Sequence, residues 1–139
     1  MKVLLKLWQI NGVNLMARYT YAFSNGVYND FHRKYDGIAM IDIDSVECCA
    51  RCYEPLAIIE TCYDKGQKYK VTTLSKIVAK RLNIPCFLVF YKNLTEDTLT
   101  FRIKRIRSSQ TEFQLMNEQE WVNVLLSLHD HHKKECKKL

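Results

Sequence analysis

The sequence predicts an α/β fold, a single-domain mixed β-sheet of about four to six strands flanked by helices. Three observations carry that prediction. Between Gly37 and Tyr91, apolar runs suited to buried strands (Ile38–Ile43, Leu56–Glu60 and Cys86–Tyr91) enclose one amphipathic helical stretch. Beyond Asn93 the pattern becomes the strict alternation of a half-buried antiparallel strand. At 139 residues, with 47% hydrophobic and 12% aromatic content, the chain can bury an ample core without a metal or disulfide staple.

Taken in order, residues 1–15 read as an N-terminal extension, with Met16 as an alternative start. Val3, Leu5 and Leu7 alternate there as an edge strand would, and Asn11-Gly12 marks a turn. Tyr19, Tyr21 and Phe23 alternate with small or polar residues over a strand from Arg18 to Phe23, closed by Ser24-Asn25-Gly26. Val27 and Phe31 then space a short helix toward Tyr35, and Asp36-Gly37 turns the chain into the strand Ile38–Ile43.

That strand ends in Asp42 and Asp44, and Ser45–Pro55 forms the connection to Leu56–Glu60. Thr72-Thr73 offers a cap for a helix over 74–82 whose Leu74, Ile77, Val78 and Leu82 form one face. Asn83-Ile84-Pro85 stops it, and Cys86–Tyr91, apolar on both faces, reads as the central strand. Leu99, Phe101 and Ile103 alternate with Thr100, Arg102 and Lys104 in a strand whose partner is Glu112–Met116. Asn117 and Glu120 have capping-box spacing, ahead of a last helix with Trp121, Val124, Leu125 and Leu128 on its apolar face. The expected organisation is one α/β domain over 16–133 and a basic tail over 134–139.

Lys and Arg number 21 against 15 Asp and Glu, a net charge of +6 that suits a polyanionic partner and leans toward the second half of the chain. Nucleic acid is the expected partner, and a homodimer the expected assembly. Six cysteines in a chain with a sufficient core read as reduced thiols, which places the protein in a cytoplasm. No run approaches the roughly 18 apolar residues of a membrane span, so no membrane role is expected. Four unclustered glycines exclude a phosphate-cradling loop, and no Gly-x-Ser-x-Gly elbow is present.

Chemistry is sought first at the acids, because a carboxylate at the mouth of a buried strand is costly to desolvate unless it meets a cation or donors. Asp42 and Asp44 share one strand face, and with Glu60 they are the candidate ligands of one divalent ion, Mg²⁺ or Mn²⁺, which prefers such hard oxygens. The competing reading is strand-end acids that are solvated, or paired with Lys70 or Arg51. An antiparallel hairpin of 38–43 with 56–60 sends Asp44 and Glu60 to opposite ends, so convergence requires a bend, a bulge or a parallel arrangement.

Cys48, Cys49 and Cys52 are the zinc candidates: Cys49-Ala-Arg-Cys52 has the gap of a zinc knuckle, although no second pair follows at matching spacing. Thiols without a task are the simpler reading. In the tail, the four-residue spacing of His132 and Cys136 permits metal capture, while a basic helix end favoured by the macrodipole accounts for the same residues. Tyr19, Tyr21, Phe23, Tyr28, Phe31 and Tyr35 suit either stacking on bases or ordinary packing.

The order helix, strand with Asp, strand with acid, helix, strand resembles the PD-(D/E)XK nuclease-like superfamily over roughly residues 27–92, about half of the chain. The resemblance implies a restriction-endonuclease-like core and metal-assisted phosphodiester hydrolysis. It further implies that Asp44 (or Asp42) and Glu60 hold the metal and that Lys65, Lys68, Lys76, Lys80 and Arg81 contact the phosphate backbone. The chain departs from the pattern at Cys62, which stands where the lysine is expected. Lys70, or Lys65, is the substitute from a neighbouring segment, and Gln67 resembles the glutamine of exonuclease-like members. The stretch from Ile41 to Thr61, IDIDSVECCARCYEPLAIIET, also resembles bacterial and phage proteins without an assigned activity.

Overall fold

The structure, a computed structural model, describes residues 26–109 and 112–136. The predicted strand over 18–23 and the segment 1–15 lie outside the described residues. The chain divides between Ile41 and Asp42 into two compact units. In the first, α1 (Gly26–His32) is shorter than its predicted extent; its Tyr28 and Phe31 rings form a row with Tyr35, which lies beyond the helix end, at centroid separations of 5.7 and 5.5 Å. Gly37, at φ 83, makes the predicted turn, a backbone angle that glycine adopts without a Cβ clash.

The second unit is α/β, a five-stranded mixed sheet with two helices. Its strands are β1 (Ser45–Cys48), β2 (Pro55–Tyr63), β3 (Cys86–Asn93), β4 (Leu99–Ile106) and β5 (Gln114–Asn117), lying side by side in chain order. Only β2 and β3 pair in parallel; the other three pairs are antiparallel. The crossover between them is α2 (Thr73–Leu82), and α3 (Glu118–Lys133) follows β5.

The first strand lies later in the chain than its apolar run predicts. Residues 38–43 are not a strand, and the first strand is Ser45–Cys48, inside the stretch read as a connection. Pairing to β2 begins at Ser45↔Ile59 because the Asp44 carboxylate accepts the Thr61 N–H at 2.9 Å, so a side chain takes the donor that a further strand residue would have used. Ile38 and Ile41 consequently stay exposed.

Period-two alternation assigns the two faces. Ala57, Ile59, Phe87, Val89 and Ile103 face α3, where Trp121 meets Phe87 edge-on at 5.3 Å and Val124, Leu125 and Leu128 complete the contact. Ile58 and Cys86 face α2 through Ala79 and Val78. The central strand β3 is buried on both faces, as its unbroken apolar run implies. The capping box of α3 is complete: Glu120 N–H donates to Asn117 Oδ1 and Asn117 N–H donates to Glu120 Oε2, each at 2.8 Å.

The α2 face differs from the predicted stripe. Ile77 and Leu82 are nearly half exposed, and the buried residues are Ser75 and Ala79. Small side chains let the helix approach the sheet closely and set the Ser75 hydroxyl over β2. Thr72 occupies the N-cap position without a side-chain capping bond, and Asn83 ends the helix in the left-handed conformation at φ 55.

Candidate active site and a thiol–histidine cluster

The placement of β1 decides the geometry of the acids. Asp44 precedes β1 and Glu60 lies toward the end of β2, so antiparallel pairing brings the start of one strand beside the end of the other. The bend or parallel edge required by the predicted hairpin is not needed.

Glu60 points to the α2 face in line with Ile58, with 6% of its side chain exposed. Its Oε1 accepts the Ser75 hydroxyl and its Oε2 accepts Lys70 Nζ at 3.0 Å. The same ammonium donates to Asp44 Oδ2 and, at 2.8 Å, to the Thr61 carbonyl. Three hard oxygens from Asp44, Glu60 and Thr61 therefore converge on one cationic atom.

The electrostatics follow. Partial burial acts to raise the Asp44 carboxyl, but the Lys70 ammonium and the Thr61 N–H outweigh it, and its pKa lies below the ordinary carboxylate value. Burial acts to lower Lys70, and hydrogen bonds to Asp44 and Glu60 reverse this and raise it. On the same sheet face, burial and then the charge of Glu60 push the Cys86 thiol up to about 11.

The remaining candidates separate. Asp42 is exposed and makes no hydrogen bond or ion pair among the described residues. Gln67 lies in the loop after β2: its amide donates to Cys62 Sγ, one pleat along from Glu60, at 3.3 Å and to the Tyr63 carbonyl at 2.8 Å, and its Oε1 accepts the Lys65 N–H. This turn is fastened by Arg102, which sits over the Phe90 and Phe113 rings at 4.7 and 4.8 Å. Its guanidinium donates to both Asp64 oxygens and to the Gln67 carbonyl, and Asp64 is held below the ordinary carboxylate value by that pairing. Lys70 follows three residues later.

Lys68 and Lys76 line a groove of about 340 Å³ with Lys70, Lys104, Arg105 and Arg107, and no acid lines it. Lys80 borders a second hollow at the far end of α2, and Lys65 borders a third beside Asp64. Arg81 is exposed and lines neither hollow.

A second constellation joins residues distant in sequence. Cys49 and Cys52, in the turn after β1, meet His132 in the last turn of α3 and Cys136 just beyond it. Cys52 Sγ is 3.1 Å from His132 Nε2, and Cys49 Sγ is 3.8 Å from Cys136 Sγ. The four ligand atoms all lie within 4.8 Å of one another, a cluster that can hold a metal ion. The backbone N–H groups of Arg51 and Cys52 lower the Cys49 thiol to about 6, whereas burial and the facing thiols raise Cys136 to about 11. Nearby, His129 Nε2 meets Glu47 Oε1 at 2.6 Å, a second tie from α3 to β1.

No family model, curated protein or solved structure matches this chain. The geometry of the two clusters is what bears on function.

Of the predicted site residues, Asp44, Glu60 and Lys70 come together; Asp42 does not join them, and Gln67 serves the adjoining turn. The competing reading of these acids as partners of Lys70 is also what the contacts show, and Arg51 is not that partner. Cys48 is not a member of the thiol cluster, and the reading of the C-terminal segment as a solvated helix end fails at His132 and Cys136. Ser75, Thr61 and Arg102 have no sequence signal, since each looks like ordinary helix or strand composition. Among the described residues no helix is long and apolar enough to cross a membrane.

Proposed function

We propose that this chain is a metal-dependent nuclease hydrolysing phosphodiester bonds of DNA or RNA on a PD-(D/E)XK-like core. The observation that carries the reading is the convergence of Asp44 Oδ2, Glu60 Oε2 and the Thr61 carbonyl on the position of the Lys70 ammonium. Three hard oxygens around one cation position are the donor chemistry that Mg²⁺ or Mn²⁺ takes. Asp44 and Glu60 would hold the ion, which when bound lowers the pKa of a coordinated water and polarises the phosphate.

The chain's own residues account for the rest. Ser75 fixes the rotamer of Glu60 from the helix side, so one carboxylate oxygen stays aimed into the site. Lys70, on a flexible stem, can keep its charge beside the carboxylates or present it to a phosphate oxygen as negative charge develops there. The cationic groove that begins at Lys70 gives a nucleic-acid backbone a path with little sequence preference. The layout supports the same reading: an acid before one strand, an acid in its neighbour, then a helical crossover to a parallel strand.

The test is incubation of plasmid, single-stranded DNA and single-stranded RNA with Mn²⁺ and with Mg²⁺. The wild type should cut at least one of them, Glu60→Gln and Asp44→Asn should not, and Lys70→Met should be slower by about 10²–10³-fold, the range for losing one preorganised donor. Equal behaviour of wild type and Glu60→Gln ends the enzymatic reading. Salt-sensitive binding that survives EDTA and Glu60→Gln without cleavage instead marks a non-catalytic nucleic-acid-binding module, for which the basic groove is the supporting observation.

A further inference from the structure

The thiol–histidine cluster carries an inference independent of the nuclease reading. Cys49 and Cys52 are held by a tight turn: the Cys49 N–H donates to the Glu54 carbonyl at 2.9 Å, and the Tyr53 N–H returns to the Cys49 carbonyl at 2.8 Å. Tyr53 sits at φ 59, a left-handed angle that a bulky residue keeps only when its surroundings impose it. On the other side, the Glu135 N–H donates to the His132 carbonyl at 2.9 Å, a turn that brings Cys136 back beside the helix end.

The resulting set is Cys-x₂-Cys from a strand connection and His-x₃-Cys from a helix end, the ligand spacings of closed tetrahedral zinc sites. The distances agree with one ion at the centre. With Zn–S bonds of about 2.3 Å, the sulfurs along one tetrahedral edge stand about 3.8 Å apart, and the Cys49–Cys136 separation is 3.8 Å. A disulfide needs about 2.05 Å, and all six cysteines are free.

We propose that Cys49, Cys52, His132 and Cys136 bind one zinc ion in a closed structural site that fastens the β1–β2 turn to the end of α3. Sulfur and imidazole donors select zinc over the Mg²⁺ or Mn²⁺ suited to the carboxylates. Four protein ligands leave no open coordination position, so this ion takes no substrate. Its task is mechanical. Strand β1 has four residues and, among the described residues, a single neighbouring strand, and it follows directly on Asp44. The clip joins positions 80 and 87 apart in sequence, and the Glu47–His129 pair repeats the connection from the next pleat. Binding displaces the thiol protons, three ligands ending as thiolates and His132 as a neutral imidazole.

The test is elemental analysis of protein purified in reductant without chelator, together with the visible spectrum after cobalt(II) exchange. One zinc per chain is expected, and the cobalt form should show the intense absorption of a tetrahedral thiolate site. Cys52→Ser and Cys136→Ser should lose the metal stoichiometry, while Cys48→Ser and Cys62→Ser keep it. The cobalt spectrum of the wild type decides the matter even if a ligand variant fails to fold. Less than a tenth of an equivalent after zinc loading, an octahedral cobalt spectrum, a Cys49–Cys136 disulfide in reduced protein, or full zinc retention by a folded Cys52→Ser would each overturn the proposal. Glu60→Gln should keep its zinc, so failure to cleave nucleic acid leaves this assignment standing.

Discussion

Lys70→Met should remove the one cation shared by Asp44 and Glu60 while keeping the stem's apolar contacts. The loss of one partner from a buried pair costs about 3–5 kcal/mol because the remaining charge is stranded. Here Glu60 is buried, but the side chains of Lys70 and Asp44 are 28% and 34% exposed. Solvent screening then reduces the expected loss to about 2–3 kcal/mol at pH 7. The pH dependence is the sharper signature. In the wild type, Asp44 has a lowered pKa, so its contribution is complete above the ordinary carboxylate value of about 4 and fades as pH falls below it. Lys70 has a raised pKa, so its contribution is complete below about 10.4 and fades as pH rises beyond that.

Between those limits the wild-type site contributes a constant amount. In Lys70→Met, Asp44 loses the cation that holds its carboxyl down while burial still acts to raise it, so the native variant takes up a proton that the unfolded chain does not bind at the same pH and gains stability on acidification. The gain is at most about 1.4 kcal/mol per pH unit for one proton. Urea unfolding of both proteins at pH 7 and pH 5 measures it, with matching m-values as the check on two-state behaviour. A loss under 1 kcal/mol, or one of equal size at both pH values, refutes the reasoning. Mn²⁺ should stabilise the variant more than the wild type, because the ion no longer competes with the ammonium.

Three further outcomes are expected. Arg102→Gln should lose about 2–4 kcal/mol, since it abandons a largely buried Asp64 and the Gln67 carbonyl together; a double-mutant cycle with Asp64→Asn should give a coupling above about 1 kcal/mol, and a difference undiminished at low pH, where Asp64 is protonated, contradicts the ion-pair account. Lys76→Ala and Lys104→Ala should each lower the slope of log affinity against log salt by about one for single-stranded DNA; unchanged slopes remove these side chains from the interface. Asn117→Ala should cost about 1 kcal/mol by thermal unfolding, because the α3 capping box loses its acceptor.

What the sequence disclosed depended on how local the signal was. The central strand was legible because CFLVF is apolar on both faces, and α3 because Asn117, Glu120 and the Trp121–Leu128 stripe agree with one another. Strand β1 was not, because GIAMI is more apolar than SVEC. The choice was made by tertiary pairing to β2, with Asp44 capping the ladder. Placing that strand too early also put Asp44 at the wrong end of its hairpin. The orientation of α2 escaped for a related reason: Ser75 and Ala79 face the sheet because they are small and because Glu60 needs a donor, which hydrophobicity alone does not register. Lys70 is legible in two ways, as a cation within reach of the strand-end acids and as the stand-in for the lysine missing at Cys62. Each half of the thiol cluster was visible as a spacing, but nothing local says that the two halves meet across 80 positions.

The edge position of β1 has a consequence for how the molecule fails. Once its ties to α3 are released, by removal of the metal and loss of the Glu47–His129 pair, a short strand bonded on one side among the described residues is among the first elements to open, and it can detach at a free energy well below that of global unfolding. Because Asp44 adjoins it, such an excursion disassembles the three-oxygen nest while the β2–β3–β4 centre stays intact. Amide protons of β1 should therefore exchange well before those of β3, and competence at the acidic site should be forfeited on mild heating long before circular dichroism registers any loss of structure.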